Sequence, residues 1–148
     1  MKTTSELLIV DDNPADVALA CEALKSGAHE GKISSVGDGA EALAFLNRRG
    51  TYANALKPDL VILDLNLPKR DGLAVLAAMK AGPELRCIPV VIFSTSRLRK
   101  DISRSYELGA NCYVTKPGNL KDFFSTMKSI EEFWFNFASL PSRGEESK

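Results

Sequence analysis

Short apolar runs alternate with longer polar segments five times along the chain. An apolar run of about four to eight residues between turn residues is typical of a strand buried on both faces. The second run is polar enough to predict a strand near the edge of a sheet. The predicted strands are residues 7–10, 32–36, 60–63, 88–93 and 112–115.

The segments between these strands carry apolar residues at helical spacing, and most begin with a residue suited to cap a helix. Asn13, Asp38, Asp71 and Asn119 are the predicted N-caps. We expect the fourth helix over residues 100–108, the last helix over 120–138, and a loop over 51–57.

Strands that alternate regularly with helices predict an α/β fold, with a parallel sheet, right-handed crossovers and helices on both faces. The length of 148 residues suits a single domain. We assign residues 6–138 to that domain and its C-terminal helix, and residues 139–148 to a flexible polar tail. No effector domain is expected.

Polar side chains follow four of the predicted strands at the point where each strand ends. They are three carboxylates, a hydroxyl and an ammonium: Asp11, Asp12, Asp64, Ser94 and Lys116. Because parallel strands end at one edge of a sheet, where ligands of such folds bind, we expect these side chains to meet there.

Composition narrows the possible functions. Nineteen basic residues balance nineteen acidic ones, so no overall charge favours nucleic acid or a membrane surface. One histidine, His29, and three scattered cysteines argue against a zinc site. No signal peptide or membrane span is visible, and we expect a cytoplasmic protein.

Three clustered carboxylates repel one another, and Lys116 offsets only part of their charge. A divalent cation that prefers oxygen ligands would balance the rest, and Mg²⁺ suits carboxylates, waters and a phosphate oxygen. Beside Mg²⁺ and Lys116, Asp64 could attack phosphorus and form an acyl phosphate.

Two other function classes fit parts of this pattern. A Mg²⁺-dependent aspartyl phosphatase of the haloacid-dehalogenase type also uses an Asp at a strand tip, but its second acid would replace Asn66. A nucleotide- or flavin-binding module of flavodoxin-like topology would need a phosphate-binding loop after the first strand, where Asp11 and Asp12 would repel phosphate.

In order and context, Asp11-Asp12, Asp64, Ser94 and Lys116-Pro117 resemble the signature of the response-regulator receiver domain, the CheY-like family. The resemblance implies a flavodoxin-like sheet with strand order 2-1-3-4-5. It also implies that Asp64 accepts a phosphoryl group from the phosphohistidine of a histidine kinase.

The same resemblance implies the remaining roles at the site. Asp11 and Asp12 would hold Mg²⁺ together with Asp64 and the backbone carbonyl of Asn66. Lys116 would contact a phosphoryl oxygen. Ser94 and Tyr113 match the switch pair of the family, in which the hydroxyl moves to the phosphate and the ring rotates inward.

Residues near the C-terminus, among them Asn111-Cys112-Tyr113 and Phe133-Trp134, are similar to the small response regulators that partner phytochrome-type kinases. That similarity implies a phytochrome-type sensor, with another histidine kinase as the alternative. The output is then expected to be contact with a downstream protein.

The last helix predicts a symmetric homodimer. Its apolar stripe is expected to cover the sheet, whereas Phe133, Phe135 and Phe137 lie beyond the stripe and would face water. In the family, self-association commonly uses the fourth helix, fifth strand and fifth helix. The alternative is that the C-terminal tail covers these phenylalanines. The stripe comprises Leu120, Phe123, Phe124, Met127, Ile130, Trp134 and Ala138.

Overall fold

The computed structural model describes residues 5–27, 31–69 and 71–141. The strands are β1 (Leu7–Val10), β2 (Ile33–Val36), β3 (Leu60–Leu63), β4 (Val90–Ser94) and β5 (Cys112–Thr115). The helices are α1 (Pro14–Lys25), α2 (Gly39–Leu46), α3 (Gly72–Ala81), α4 (Arg99–Glu107) and α5 (Leu120–Glu132), with a 3₁₀ turn at Gly50–Tyr52 and a π-helical turn at Phe133–Phe137.

All five strands pair in parallel in the order β2-β1-β3-β4-β5. This is the strand order that the resemblance implied. The more polar β2 lies at one edge, as its composition predicted, and the apolar β1 and β3 lie inside the sheet. The flavodoxin-like α/β class is therefore confirmed.

Alternate residues of each strand enter two separate cores. Leu8 and Val10 point to the face covered by α2 and α3, whereas Leu7 and Ile9 point to the face covered by α1 and α5. All four are at most 2% exposed, and burying a side chain of this size contributes roughly 1.5–3 kcal/mol. Packing on both faces leaves the ends of the strands and the two edge strands as the accessible parts of the sheet.

The four predicted N-caps are confirmed. Asn13, Asp38, Asp71 and Asn119 each accept a hydrogen bond from a backbone N–H in the first turn of their helix. These bonds satisfy amides that would otherwise have no partner within the helix. All four capping residues lie in loops that leave the C-terminal edge of the sheet.

Several predicted boundaries differ from the structure, and the largest shift in a strand is at the start of the fourth. The fourth strand begins at Val90 and not at residue 88, because Pro89 has no N–H to donate and the Val90 N–H goes to the side chain of Asn111 at 2.9 Å. The predicted loop over 51–57 overlaps the short 3₁₀ turn at Gly50–Tyr52.

The prediction of one continuous last helix is wrong at its C-terminal end. α5 ends at Glu132, and Phe133–Phe137 form a π-helical turn closed by a 2.7 Å bond from the Ala138 N–H to the Phe133 carbonyl. The wider turn changes the angular placement of the side chains that follow. Phe135 therefore packs against the core, contrary to the prediction.

Leu120 also differs from the prediction. It was placed on the buried stripe, yet it is 74% exposed as the first residue of α5. Phe133 and Phe137 face solvent as predicted, at 52% and 72% exposure. His29 and residues 142–148 of the predicted tail lie outside the described residues. Within the described ranges, no helix is long and apolar enough to cross a membrane.

The start of α3 at Gly72 lies against the backbone of Asp64 and Leu65 at the end of β3. The Gly72 N–H donates to the Leu65 carbonyl at 2.8 Å. A Cβ atom at Gly72 would lie 2.2 Å from the Asp64 carbonyl oxygen and 2.6 Å from the Leu65 Cα. Only glycine permits this approach, because the atoms in the way are backbone.

We expect Gly72→Ala to lower the free energy of unfolding by about 2 kcal/mol or more, because the added methyl group must displace the backbone of Asp64 and Leu65. Chemical denaturation measures the change. Gly118→Ala is the matched control, since a Cβ there meets no atom within 4 Å, and its effect should stay within about 0.5 kcal/mol. Equal stabilities for the two variants would contradict the close approach.

Candidate functional site

Backbone pairing brings the predicted side chains together at one edge of the sheet. Val10 pairs with Leu63, and the Asp64 N–H donates to the Val10 carbonyl at 2.9 Å, so Asp64 emerges beside Asp11. Carboxylate oxygens of Asp11, Asp12 and Asp64 all lie within 4.8 Å of one another. Asp11 and Asp64 are buried, whereas Asp12 is exposed at the rim.

Lys116 reaches the same cluster from the tip of β5. Its backbone N–H donates to the Ser94 carbonyl at 2.8 Å, which places it next to the end of β4. The Lys116 Nζ lies 2.8 Å from Asp11 Oδ2 and 3.1 Å from Asp64 Oδ2. Only 4% of the lysine side chain is exposed, so these charge-assisted hydrogen bonds form largely out of water.

A third carboxylate, on Asp16, contacts Lys116. Its Oδ2 lies 2.8 Å from the lysine Nζ, and 26% of its side chain is exposed. Asp16 was not predicted as a site residue, because it lies in a helix and does not directly follow a strand. The available signal was its place in the first turn of α1, shortly after Asp11 and Asp12, where the helix still faces the sheet edge.

The electrostatics of the cluster reflect burial and crowding. Burial raises the pKa of Asp11, while the hydrogen bonds from Lys116 and the Asn13 N–H oppose the rise. For Lys116, burial alone would lower the pKa. Hydrogen bonds to Asp11 and Asp16 and the charge of Asp64 outweigh it, so the pKa of Lys116 is raised and the ammonium stays charged.

The donor set suits a hard divalent cation. Three carboxylates converge within 4.8 Å, and Lys116 cannot balance their charge together with that of Asp16. Oxygen donors, open to water at Asp12, are the ligands that Mg²⁺ and Mn²⁺ prefer. The Asn66 N–H donates to Asp64 Oδ1 at 3.4 Å, which keeps this stretch of backbone beside the cluster.

Ser94 and Tyr113 are linked through the backbone of Ser96. The Ser96 N–H donates to the Ser94 Oγ at 3.2 Å, and the Tyr113 hydroxyl donates to the Ser96 carbonyl at 2.8 Å. Ser94 is fully buried, and the half-buried Tyr113 ring packs against the core. The two side chains therefore both contact the backbone of one residue, Ser96.

Comparison with known proteins agrees with this geometry. The family model for the response regulator receiver domain matches residues 7–128. Response regulator Rcp1 of Synechocystis sp. is 46% identical over 136 residues, which cover 92% of this chain and 92% of Rcp1.

Two solved structures are similar over nearly the whole chain. The phosphorylated cyanobacterial phytochrome response regulator RcpA has a TM-score of 0.92 and 49% identity, covering 95% of this chain and 100% of RcpA. The Mn²⁺-bound form of Rcp1 has a TM-score of 0.90 and 45% identity, covering 93% of this chain and 99% of that one. With the acidic cluster and lysine at the sheet edge, these matches show that the chain belongs to the response regulator receiver domain family.

Proposed function

We propose that Asp64 is the phosphoacceptor of this receiver domain and that a histidine kinase supplies the phosphoryl group. The observation that carries the proposal is the position of Asp64. It is buried at the tip of β3 beside the carboxylate of Asp11, and its Oδ2 lies 3.1 Å from the ammonium of Lys116. Among the acids of the metal-binding cluster, Asp64 alone comes from the central strand β3 and precedes the tight turn to Gly72.

The transfer conserves atoms and charge in a simple displacement. A carboxylate oxygen of Asp64 attacks phosphorus, the bond from phosphorus to the histidine nitrogen breaks, and the imidazole leaves with that electron pair. The product is an acyl phosphate on Asp64. Lys116 lies where it can donate to a phosphoryl oxygen, and its charge offsets the negative charge of the transferred group.

Mg²⁺ is the cation that we propose for the acidic cluster. Asp11, Asp12 and Asp64 would hold it, and the backbone carbonyl of Asn66 would complete the protein ligands. The convergence of hard oxygen donors and the excess of negative charge support this assignment. When bound, the ion would neutralise charge on the phosphoryl group and the attacking carboxylate.

Ser94 and Tyr113 are the proposed switch. Phosphorylation would draw the Ser94 hydroxyl toward Asp64 and disturb its bond with the Ser96 N–H. Because the Ser96 carbonyl accepts from Tyr113, a shift of this segment changes the support for the tyrosine ring. The change would reach the surface formed by α4, β5 and α5.

The proposed sensor is a phytochrome-type histidine kinase. The similarity to RcpA and Rcp1 over more than nine-tenths of the chain supports this choice, and another histidine kinase is the alternative. We propose the cytoplasm as the location, in keeping with Cys21, Cys87 and Cys112, which are all free thiols. The output is contact with a downstream protein.

We also propose a symmetric homodimer through α4, β5 and α5, with Phe133 and Phe137 at the contact. Their exposure of 52% and 72% is unusual for phenylalanine and places two apolar rings in water on one short turn. A second copy could bury both rings across a two-fold axis, because each copy would present the same surface.

Phosphorylation should depend on Asp64. In Mg²⁺ and a small acyl-phosphate donor, the protein should gain one acid-stable, base-labile phosphoryl group, and Asp64→Asn should gain none, because an amide oxygen is a poor nucleophile. Intact mass spectrometry measures the product. Asp71→Asn is the matched control, since Asn preserves the helix cap. Full labelling of Asp64→Asn would contradict the assignment.

Mg²⁺ affinity should separate the roles of Asp12 and Lys116. Asp12→Ala should weaken binding at least several-fold, because it removes a ligand and a negative charge. Lys116→Ala should leave binding intact or tighten it, since it removes a competing cation, yet it should slow phosphorylation. Isothermal titration calorimetry measures the affinity. Loss of binding in Lys116→Ala with normal binding in Asp12→Ala would reverse the two roles.

Sedimentation should show a dimer at tens of micromolar for the wild type and a monomer for the Phe133→Asp, Phe137→Asp double variant, because charge cannot be buried without a partner at the interface. Leu56→Asp is the control, since Leu56 is similarly exposed, at 57%, but lies in the loop before β3. A monomeric wild type, phosphorylated or not, would contradict the dimer.

A further inference from the structure

The ammonium of Lys116 uses all three of its N–H donors on carboxylates. Its partners are Asp11, Asp16 and Asp64, at 2.8, 2.8 and 3.1 Å. Two of these partners belong to the group of acids whose oxygens lie within 4.8 Å of one another, whereas Asp16 stands outside that group. Lys116 therefore contacts two acids of the proposed metal-binding cluster and one acid, Asp16, that lies outside it.

These partners change differently when the site is loaded. A divalent cation held by Asp11 and Asp64 draws their electron density and repels the nearby ammonium. Phosphorylation consumes an oxygen of Asp64 as well. Asp16 has neither task, so its bond to Lys116 is the one that can persist.

Asp16 is also anchored independently of the sheet edge. It lies in the first turn of α1, which begins at Pro14 under the Asn13 cap and packs against α5. The Asp16 N–H itself donates to the Asn13 side chain at 3.2 Å. Movements of the Asp64 carboxylate or of the β3–α3 loop therefore need not move Asp16.

We propose that Asp16 is a positioning residue for Lys116. It holds the ammonium over the site while Asp11 and Asp64 turn to the metal and the phosphoryl group. Asp16 touches neither of these and acts only through the lysine. The inference rests on the proposed roles of Asp64 and Mg²⁺.

Without Asp16, the remaining acceptors of Lys116 are Asp11 and Asp64. Both turn to the metal or the phosphoryl group when these are bound. The ammonium then loses its fixed position when it must meet a phosphoryl oxygen, and a loss of orientation slows the chemical step. If Asp16 only attracted the metal through space, its loss would act differently. It would raise the Mg²⁺ concentration needed for half-maximal phosphorylation and leave the phosphorylation rate at saturating Mg²⁺ unaltered.

The test compares Asp16→Ala, Asp16→Asn and Asp16→Glu with wild type, using a small acyl-phosphate donor over a range of Mg²⁺ concentrations. Asp16→Ala should lower the phosphorylation rate at saturating Mg²⁺ roughly ten-fold. Asp16→Glu should recover part of the rate by restoring a carboxylate. Glu22→Ala is the control for charge, since Glu22 is an exposed acid on the same helix, and its rate should equal that of wild type.

A second readout does not depend on phosphorylation. In ¹⁵N NMR of the lysine side chains, the Lys116 ammonium of Mg²⁺-loaded wild type should give a signal protected from exchange with water, and Asp16→Ala should lose that protection. Asp16→Asn is the control for misfolding, because it keeps the shape of the side chain and removes only its charge.

Two results would overturn the positioning role: a wild-type rate for Asp16→Ala at saturating Mg²⁺, or a Lys116 signal that Asp16→Ala leaves unchanged. Failure of the underlying function gives a different result. A wild-type protein that acquires no phosphoryl group on Asp64 would refute the phosphoacceptor assignment, while the NMR comparison would still report on the contact between Asp16 and Lys116.

Discussion

The buried ammonium of Lys116 bonds to carboxylates from three separate parts of the chain. Asp11 follows β1, Asp16 lies on α1 and Asp64 follows β3, so a single side chain from the tip of β5 connects elements more than 50 residues distant in sequence. Such a charge is stable in the interior only when acceptors surround it. Strand pairing sets the positions of the strand tips, and this contact fixes their charged side chains relative to one another.

The cluster is a compromise between stability and function. Four carboxylates and one ammonium leave an excess of negative charge at the sheet edge. The stability of the two apolar cores must offset the repulsion among these carboxylates. An uncharged sheet edge would lower the stability of the fold less, but it would attract no metal ion and could accept no phosphoryl group. The excess of negative charge at the cluster is thus what favours the binding of a cation.

Sequence patterns predicted the parts of the fold that depend on local rules. The apolar runs at Leu7–Val10 and Leu60–Leu63 identified buried strands, and the rule that parallel strands end at one edge gathered Asp11, Asp64 and Lys116. Capping chemistry located the starts of four helices. Each of these inferences uses spacing along the chain and needs no knowledge of how the helices pack.

The features that were missed depend on packing. The contact of Asp16 with Lys116 depends on the rotation of α1 about its own axis, which contacts with α5 determine. Phe135 reaches the core only because a π-helical turn replaces the expected α-helix, and the link from Ser94 to Tyr113 passes through the backbone of Ser96. Neither composition nor periodicity encodes these arrangements directly.

In the proposed mechanism, one lysine serves both the acidic cluster and the phosphoryl group on Asp64. A crystal structure with Mg²⁺ and beryllofluoride, which mimics the phosphorylated aspartate, tests it most directly. We expect the metal on Asp11, Asp12 and Asp64, and the Lys116 Nζ within hydrogen-bond distance of a fluorine. A metal bound elsewhere, or a Lys116 side chain turned away from the beryllofluoride, would contradict the proposed mechanism.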